Sequence, residues 1–374
     1  MTNFLFACGG TGGHINPALA FAAEIKKNRP NAKFLFVGTP DGMEARLIPA
    51  AGYDFAGIPV MGFYRTLSVG AIKHNVRAIR CLTTAGYKAK KIIKAFGPDL
   101  CFGTGGYVSG PVIRAAHALK IKTAIHEQNA FPGVTNKLLS KYTDVIFAAN
   151  DGAAEQLGTK TTPIIVGNPV RESIIFADKT AAIEKLKLDP NAPTILSFGG
   201  SLGADIINRA AADIISHFCE TGERVNILHG YGRMGKEKFP LFLKEHGLSM
   251  ESLPEGVRVS EYINNMDDAL AVADVCISRA GALTLSELAV SGTPAFLIPS
   301  PYVTANHQYH NAMEYQNAGA AEVMEEKNYD FNVILKFLQK VLFDDETAEK
   351  YRKGMTKMGI VDTSSRVYSA LMEL

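Results

Sequence analysis

Three glycine-rich runs in the sequence have the character of phosphate-binding loops. They lie at residues 9–13, 103–110 and 199–203, each directly after a short apolar segment. Glycine lets a ligand approach the backbone closely, and a helix that begins just beyond such a run offers free N–H groups and a partial positive charge to a diphosphate. None of the runs continues into Gly-Lys-Ser/Thr, and none is a complete G-x-G-x-x-G. A tight turn without a ligand explains any single run, but three of them together favour an anion site.

Two polar residues are candidates for a general base. His14 follows the first run, and the imidazole of a histidine titrates near neutral pH, which suits proton transfer. Glu127 is the second candidate and lies in the polar run His126-Glu127-Gln128-Asn129, directly after an apolar segment. The alternatives are a histidine that hydrogen-bonds a loop carbonyl and polar residues that only cap a loop. We expect His14 to be the base, with Glu127 as the other possibility.

Glu287 and Arg171 are candidates for contacts with a nucleotide. Glu287 ends the run 279–287, which lies between a predicted strand and a predicted helix. One carboxylate can accept hydrogen bonds from two ribose hydroxyls; a glutamate stabilised by the helix dipole is the alternative. Arg171 ends the run 167–171 and is placed either to reach a phosphate or a base, or to be a surface arginine at a hinge. A further polar cluster at residues 306–308 opens a late helix.

The elements that must position these residues alternate between strand and helix. A chain of 374 residues exceeds the roughly 250–300 residues at which a single hydrophobic core stops growing, so we expect two domains. Alternation of this kind predicts parallel sheets with helices on both faces. The sequence predicts strands at residues 3–8, 33–37, 100–102, 123–126, 144–148, 194–198, 225–228, 257–259, 274–278 and 295–298. It predicts helices at residues 17–27, 71–95, 283–291, 306–318 and 346–374, and another from about residue 204.

The layout of residues 9–20 is repeated at residues 199–210, as strand, glycine run and helix. This repeat predicts an α/β protein made of two Rossmann-like lobes with parallel sheets that face each other across a cleft. Ligands of such sheets bind at the carboxyl ends of the strands. We expect an N-terminal lobe at residues 1–163, a C-terminal lobe at 164–345, and a C-terminal helix at 346–374 that packs back on the N-terminal lobe.

One span is basic and apolar without any acid. Residues 55–98 contain no Asp or Glu, whereas Ile58, Val60, Met61, Phe63, Tyr64 and Leu67 stand beside Arg65, Lys73, Arg77, Arg80, Lys88, Lys90, Lys91 and Lys94. Basic residues next to exposed apolar ones suit an anionic membrane surface. We therefore expect residues 58–94 to bind a membrane; an ordinary solvated helix is the alternative. No recognisable nucleic-acid-binding module accompanies the basic residues, so nucleic acid is not an expected partner.

Composition places further bounds on the protein. The net charge of +2 is close to balance, and none of the five cysteines forms a C-x-x-C pair, which favours buried thiols in a reducing compartment. The first residues have the pattern of a strand rather than a signal peptide. No apolar run approaches the roughly 18 residues of a membrane-spanning helix. A soluble or peripheral protein is expected.

Taken together, the motifs resemble the MurG family of peptidoglycan glycosyltransferases. They occur in the family's order along most of the chain. The matching segments are GGTGGHINPALA at 9–20, GTGGYVSGP at 103–111, HEQNAFPGVTNKLLS at 126–140, GNPVR at 167–171, FGGSLGA at 198–204, RAGALTLSEL at 279–288 and NHQYHNA at 306–312. The ordered set is far more specific than any single loop.

The resemblance implies the GT-B fold, inversion at the anomeric carbon, no cofactor and no obligatory metal. It also implies transfer of N-acetylglucosamine from UDP-N-acetylglucosamine to the C4 hydroxyl of the muramyl sugar of lipid I (undecaprenyl-pyrophosphoryl-N-acetylmuramyl-pentapeptide), giving lipid II. The enzyme would act as a peripheral protein on the cytoplasmic face of the membrane. The N-terminal lobe would bind the acceptor and the membrane, and the C-terminal lobe the UDP-sugar.

Residue by residue, the resemblance implies specific donor contacts. The backbone of Ile263 would read uracil, Glu287 would hold the ribose, and Gln308 the sugar. His307 stands where many relatives have a second glutamine. The full donor set is Thr11, Gly12, Gly13, Asn129, Arg171, Ser201, Ile263, Ala282, Leu283, Thr284, Leu285, Ser286, Glu287 and Gln308.

Three other functions fit parts of the pattern. The first is another UDP-sugar transferase, acting on diacylglycerol or on a natural product. The second is a nicotinamide dehydrogenase with tandem Rossmann lobes, which needs a G-x-G-x-x-G and an acid about 20 residues further on; the glycine motif is missing. The third is a sensor that binds a UDP-sugar without turnover.

Overall fold

A computed structural model describes residues 1–62, 69–158 and 161–374. For residues 69, 71–80, 82 and 83 it describes the secondary structure but not the side chains. Contacts divide the chain into two units. Unit 1 comprises Met1–Pro169 and Asp362–Leu374, and unit 2 comprises Val170–Val361. The predicted lobes end at residues 163 and 345, whereas the chain leaves unit 1 after Pro169 and returns at Asp362.

Unit 1 contains a seven-stranded sheet in which every strand pair is parallel. The strand order is β3-β2-β1-β4-β5-β6-β7. The strands are β1 Asn3–Ala7, β2 Lys33–Gly38, β3 Asp54–Gly57, β4 Leu100–Gly103, β5 Lys122–Glu127, β6 Val145–Ala148 and β7 Ile164–Ile165.

The central strand β1 is buried on both faces, which explains its continuous apolar sequence. Phe4 and Phe6 point to one face of the sheet, which helices α1 and α16 cover. Leu5 and Ala7 pack on the other face, against α3 and α4. The helices of unit 1 are α1 Gly12–Asn28, α2 Glu44–Ala50, α3 Val69–Phe96, α4 Ser109–Ala118, α5 Val134–Leu139, α6 Asp151–Leu157 and α16 Thr363–Met372, with a 3-10 turn at Ser140–Tyr142.

Helix α1 begins five residues earlier than the sequence predicts. The Asn16-Pro17 pair suggests a start at residue 17, but Pro17 lies inside the helix, which starts at Gly12. Proline lacks the N–H that would bond to the carbonyl of residue 13, so the helix loses one hydrogen bond near its first turn and continues. His14 therefore stands in the first turn of α1, not in a loop before it.

Unit 2 contains a second all-parallel sheet, of six strands in the order β10-β9-β8-β11-β12-β13. The strands are β8 Thr194–Phe198, β9 Asn226–Gly230, β10 Val257–Ser260, β11 Val275–Ser278, β12 Ala295–Leu297 and β13 Ala321–Val323. Apolar clusters cover both faces, one containing Leu196 and Leu288 and the other Ile195 and Phe337.

The helices of unit 2 cover both faces of this sheet. They are α7 Glu172–Ile175, α8 Lys179–Leu186, α9 Asp205–Thr221, α10 Phe239–Glu245, α11 Met266–Val272, α12 Ala282–Ser291, α13 His307–Asn317, α14 Phe331–Phe343 and α15 Asp345–Met358. Three 3-10 turns lie at Arg233–Gly235, Thr304–Asn306 and Glu326–Asn328. The prediction of two parallel-sheet Rossmann-like lobes is confirmed; how the lobes face each other stays a prediction.

The C-terminal segment forms two helices rather than the single one predicted at residues 346–374. Met355 of α15 is buried in unit 2, whereas Val367 and Leu371 of α16 are buried in the core of unit 1 against α1. The hydroxyl of Thr363, the first residue of α16, donates to the carbonyl oxygens of Val166 at 2.7 Å and Asn168 at 3.1 Å. In the part of the chain that the structure describes, no helix is both long enough and apolar enough to cross a membrane.

Candidate active site

A buried carboxylate holds the first glycine loop of unit 1. Glu44 is fully buried and accepts hydrogen bonds from the Thr39 amide at 2.8 Å, the Thr39 hydroxyl at 2.5 Å and the Gly10 amide at 3.2 Å. Burial acts to raise the pKa of Glu44, but these hydrogen bonds outweigh it and hold the pKa below its usual range. A Cβ at Gly9 would lie 2.4 Å from Glu44 Oε1, so a larger residue there would displace the Glu44 carboxylate.

The helices that follow the central strands have uncapped N-termini. Helices α1, α9 and α12 begin after β1, β8 and β11, and their N-cap residues Thr11, Ala204 and Gly281 make no side-chain capping bond. Four other helices, by contrast, have an Asn or Asp cap, at Asn150, Asp178, Asp330 and Asp344. The N-termini of α1, α9 and α12 thus lie without a side-chain cap at the carboxyl edge where such sheets bind phosphates.

The second glycine loop packs directly against the first. A Cβ at Gly105 would lie 2.5 Å from Nδ1 of His14, and one at Gly106 would lie 2.3 Å from the carbonyl oxygen of Gly9. Both glycines also have positive φ, at 115° and 83°. The Thr104 hydroxyl donates to the His14 carbonyl at 2.7 Å. The two loops thus form one layer around the His14 ring.

His14 belongs to a hydrogen-bonded series of side chains. Its Nδ1 lies 3.1 Å from Oε1 of Gln128. The Gln128 amide nitrogen lies 2.8 Å from the Thr104 carbonyl and 2.9 Å from Nδ1 of His126. His126 Nε2 lies 2.9 Å from the Gly167 carbonyl. Burial, together with the nearby His14, lowers the pKa of His126 to about 4 in spite of that last hydrogen bond.

Among the described residues, Glu127 accepts four hydrogen bonds, from its own loop and from α5. Its Oε1 accepts from the Asn129 backbone amide at 3.0 Å and from the Asn129 side chain at 3.1 Å. Its Oε2 accepts from the Gly133 amide at 3.0 Å and from Asn136 Nδ2 at 2.8 Å. The side chain is 1% exposed. This geometry suits a carboxylate that fixes the 127–133 loop and orients Asn129.

In unit 2, the glycine run after β8 forms a tight loop against the end of β9. Gly200 and Gly203 have φ values of 85° and 83°, and a Cβ at Gly203 would lie 2.1 Å from the Tyr231 carbonyl. Backbone amides at residues 233 and 234 donate to the carbonyls of Ser201 and Leu202. The Ser201 side chain remains exposed, at the uncapped start of α9.

The carboxylate of Glu287 is paired with Arg171. Oε1 of Glu287 lies 3.1 Å from an Arg171 guanidinium nitrogen, and the arginine side chain is 56% exposed against 22% for the glutamate. Burial raises the pKa of Glu287, and the charge and hydrogen bond of Arg171 oppose this only in part. Glu287 is the sixth residue of α12, so the run Ala282–Ser286 forms the uncapped first turns before it.

The loop before α13 has an unusual backbone conformation. Ala305 and Asn306 both have positive φ, at 54° and 52°, a conformation that costs a non-glycine residue about 1–3 kcal/mol. Directly after it, Oε1 of Gln308 accepts from the Ser300 amide at 2.8 Å, which leaves the amide NH₂ of Gln308 to donate elsewhere. His307 turns back instead, with Nδ1 at 2.9 Å from the Thr304 carbonyl.

Arg279 supports the same region, and no role was predicted for it from the sequence. Its guanidinium donates to the carbonyls of Ile298 at 3.0 Å and Pro299 at 3.2 Å, and to Glu326 at 2.6 Å. It therefore fixes the segment after β12 that carries Ser300. Ile263 follows β10, is half-buried, and packs beside Gly230 at the end of β9.

Within each unit, the predicted site residues gather at one edge of the sheet. Thr11, Gly12, Gly13 and His14 follow β1, and Glu127 and Asn129 stand at the end of β5, with β4 between the two strands. In unit 2, the predicted residues follow β8, β10, β11 and β12, apart from Arg171, which directly precedes α7 and pairs with Glu287. Three contributors were not predicted for these roles: Glu44, Gln128 and Arg279. Gln128 and Arg279 lie within the quoted motifs, which is the signal that could have revealed them.

Comparison with known proteins identifies the family. Models of the glycosyltransferase family 28 N-terminal and C-terminal domains match residues 4–148 and 194–367. A protein of Acetivibrio thermocellus is 39% identical over 98% of this chain and 96% of its own length. One of Desulforamulus reducens is 40% identical over 98% and 97%. Both are named UDP-N-acetylglucosamine–N-acetylmuramyl-(pentapeptide) pyrophosphoryl-undecaprenol N-acetylglucosamine transferase.

The chain belongs to glycosyltransferase family 28. The crystal structure of Acinetobacter baumannii MurG covers the whole of both chains at a TM-score of 0.79 and 26% identity. The predicted resemblance to the MurG family is therefore confirmed, as is the GT-B fold. Residues 4–148 of the N-terminal family domain contain all the unit 1 site residues, and residues 194–367 contain those of unit 2 except Arg171.

The basic span of this family 28 chain is described only in part. Phe63, Tyr64, Arg65 and Leu67, and the side chains of Lys73, Arg77 and Arg80, lie outside the described residues. Ile58 was expected among exposed apolar residues, and this is wrong, because it is fully buried in the core of unit 1 beside α3. The C-terminal half of α3 exposes Tyr87 together with Lys88, Lys90, Lys91 and Lys94.

Proposed function

We propose that this family 28 enzyme transfers N-acetylglucosamine from UDP-N-acetylglucosamine to the C4 hydroxyl of the muramyl sugar of lipid I, forming lipid II. The observation that carries the proposal is full-length identity of 39–40% with transferases named for this donor and acceptor. Helices α1, α9 and α12, which lack a side-chain cap, begin at the carboxyl edges of the two sheets. This placement is consistent with phosphate-bearing substrates.

Unit 2 supplies most of the proposed donor contacts. The turn from Ala282 to Glu287 binds the uridine, the hydroxyl of Ser201 lies near the phosphates, and Arg171 adds a cation. The backbone of Ile263 reads uracil, Glu287 accepts from the ribose hydroxyls, and Gln308 donates to the sugar through its free NH₂. From unit 1, we assign Thr11, Gly12 and Gly13 of the first loop to the donor as well, together with Asn129, which reaches the donor sugar.

The reaction is a direct displacement. The C4 oxygen of the muramyl sugar forms a bond to the anomeric carbon of N-acetylglucosamine as the bond from that carbon to the UDP oxygen breaks. His14 takes the proton of the C4 hydroxyl, and UDP leaves with the electron pair. Fixed N–H dipoles stabilise the growing negative charge on the diphosphate without having to reorganise during the reaction.

Glu127 has a different proposed role from that of a base. All four of its hydrogen bonds come from groups of its own loop and of α5, so its lone pairs are already occupied. We propose that it orients Asn129. Steady-state kinetics of Glu127→Gln over a range of donor concentrations separate the roles, because loss of a base lowers kcat directly, whereas a disturbed Asn129 raises the KM for the donor.

The function is tested with purified protein, UDP-N-acetylglucosamine and a soluble lipid I analogue. We expect a disaccharide product and stoichiometric UDP release. Transfer to diacylglycerol, but not to the lipid I analogue, would assign the protein to another UDP-sugar reaction. Binding of the donor without release of UDP in the presence of either acceptor would indicate a sensor.

The Arg171–Glu287 pair makes donor binding pH-dependent. Ionised Glu287 is the form that accepts from the ribose, and its pKa is raised by burial, so UDP affinity should fall as the pH falls through that pKa. Arg171→Ala removes the charge that opposes the rise, so the loss of affinity should begin at a higher pH than in the wild type. Titration calorimetry with UDP between about pH 5 and pH 8 measures this. Lys179→Ala, which removes another cation of unit 2, is the control. Superimposable pH curves for Arg171→Ala and the wild type would contradict the pairing.

We further propose that the enzyme is peripheral on the cytoplasmic face of the membrane, held there by residues 58–94. The exposed lysines of α3 supply part of the positive surface. Cations near an anionic bilayer each contribute about 1 kcal/mol, and this attraction is screened by salt.

Charge reversal at Lys88, Lys90 and Lys91 should therefore release the protein from anionic vesicles. With three such contributions removed, we expect the partition coefficient to fall at least about 10²-fold. Flotation with phosphatidylglycerol vesicles at low and high salt measures the effect. The control is the same reversal at Lys350, Lys353 and Lys357 on α15 of unit 2. Equal binding of both triple variants would refute a specific α3 surface.

A further inference from the structure

We propose that Gln128 is a positioning residue that fixes the His14 ring as the tautomer with hydrogen on Nδ1 and a free lone pair on Nε2, and that the buried His126 fixes Gln128 in turn. The inference rests on the proposed role of His14 as the base and names the atom that accepts the proton. It uses only contacts within unit 1.

His126 is the fixed end of the series. Its Nε2 lies 2.9 Å from the Gly167 carbonyl oxygen, which can only accept, so Nε2 must carry a hydrogen. The ring is fully buried, edge-on to Phe21 at 5.1 Å between ring centroids, and the low pKa of His126 keeps it neutral at pH 7. Nδ1 of His126 is therefore a bare acceptor.

That acceptor determines the orientation of Gln128. One end of the Gln128 amide faces three acceptors: the Thr104 carbonyl at 2.8 Å, Nδ1 of His126 at 2.9 Å and the His126 carbonyl at 3.1 Å. Only the NH₂ group can donate to them; an oxygen there would oppose two carbonyl oxygens and a ring lone pair. Gln128 is 2% exposed, so water does not offer an alternative partner.

The other end of the amide is consequently an oxygen, and it faces His14. Nδ1 of His14 lies 3.1 Å from Gln128 Oε1, so Nδ1 must donate. A neutral imidazole has one N–H, which leaves Nε2 of His14 with the lone pair. The Nδ1 side of the ring is enclosed by Gly105, where a Cβ would lie 2.5 Å from that nitrogen, so only glycine permits this ring position.

The arrangement does for His14 what the aspartate does in a serine-hydrolase triad, but with a neutral amide. It selects the tautomer and accepts from the imidazolium after Nε2 takes the acceptor's proton. A carboxylate in the same place would oppose the Thr104 carbonyl and the bare nitrogen of His126. An amide is thus the group that satisfies all three neighbours.

The tautomer is measured directly on the free protein. Nitrogen NMR of protein labelled with ¹⁵N-histidine distinguishes N–H from bare ring nitrogens, and the missing signals of His14→Asn identify His14 among the nine histidines. We expect Nδ1–H for His14 and Nε2–H for His126 at pH 8. Finding Nε2–H on His14 would overturn the proposal, whether or not the protein has transferase activity.

A kinetic test addresses the consequence. Gln128→Met keeps the volume but removes the acceptor from Nδ1 of His14. We expect kcat to fall about 10- to 100-fold, with the KM for UDP-N-acetylglucosamine nearly unchanged and the acidic limb of the pH–rate profile at lower pH. Gln316→Met, in unit 2, is the matched control and should leave all three values as in the wild type. An unchanged acidic limb in a folded Gln128→Met protein would contradict the positioning role, whereas a wild type without any transfer would refute the proposed function instead.

Discussion

Replacing His14 by alanine should lower kcat by about 10²- to 10⁴-fold, the range that general-base catalysis contributes. The ring stands in the first turn of α1, between the two glycine loops of unit 1 and in contact with Gln128. In the described part of the chain, the ring bonds to the Gln128 side chain rather than to a backbone group, so the fold should tolerate its loss. The KM for UDP-N-acetylglucosamine should change little, because the proposed contact is to the acceptor hydroxyl. Steady-state kinetics with a lipid I analogue measure both values.

His117→Ala is the matched control, since His117 is an exposed histidine on α4 of the same unit. It should retain the activity of the wild type. If His14→Ala kept near-normal turnover at saturating substrate, another group would have to be the base, and Glu127→Gln would then be the decisive variant.

The second large effect is expected at Glu287. Glu287→Ala removes the carboxylate that is proposed to accept from two ribose hydroxyls, and charged hydrogen bonds of this kind contribute about 1.5–3 kcal/mol each. We expect the Kd for UDP to rise roughly 10²- to 10³-fold, measured by titration calorimetry. Glu287→Gln retains one acceptor oxygen and should show a smaller loss.

Glu155→Ala is the control for this series, since Glu155 is an exposed glutamate on α6 of unit 1. A Glu287→Ala protein with normal helical content and undiminished UDP affinity would remove Glu287 from the nucleotide site. The ion pair between Arg171 and Glu287 would then be a purely structural contact.

The central strands were predictable because both their faces are buried. A strand such as Thr194–Phe198 is buried along its whole length, and its prediction is correct to the residue. The edge strands β3, β7 and β13 were not predicted. They are short, and β3 begins with Asp54 and ends with Gly57, so no periodic pattern marks them.

The site residues were predictable by motif but not by role. Nothing in the sequence distinguishes Glu127, with all its lone pairs occupied, from a carboxylate that faces a substrate. Glu44 lies 34 residues from Gly10, to which it bonds, and such a distant partner has no local signature. Its three hydrogen bonds depend on how β1, β2 and α2 meet in three dimensions.

The path of the chain has a consequence for biosynthesis. Unit 2 is one uninterrupted stretch, whereas unit 1 lacks α16 until the whole of unit 2 has been synthesised. Because domains tend to fold as they leave the ribosome, the second unit can be complete while the first still exposes the apolar surface of α1 that Val367 and Leu371 will cover. During that interval, the nascent chain has a finished half and an unfinished half, and the unfinished one is the part made first.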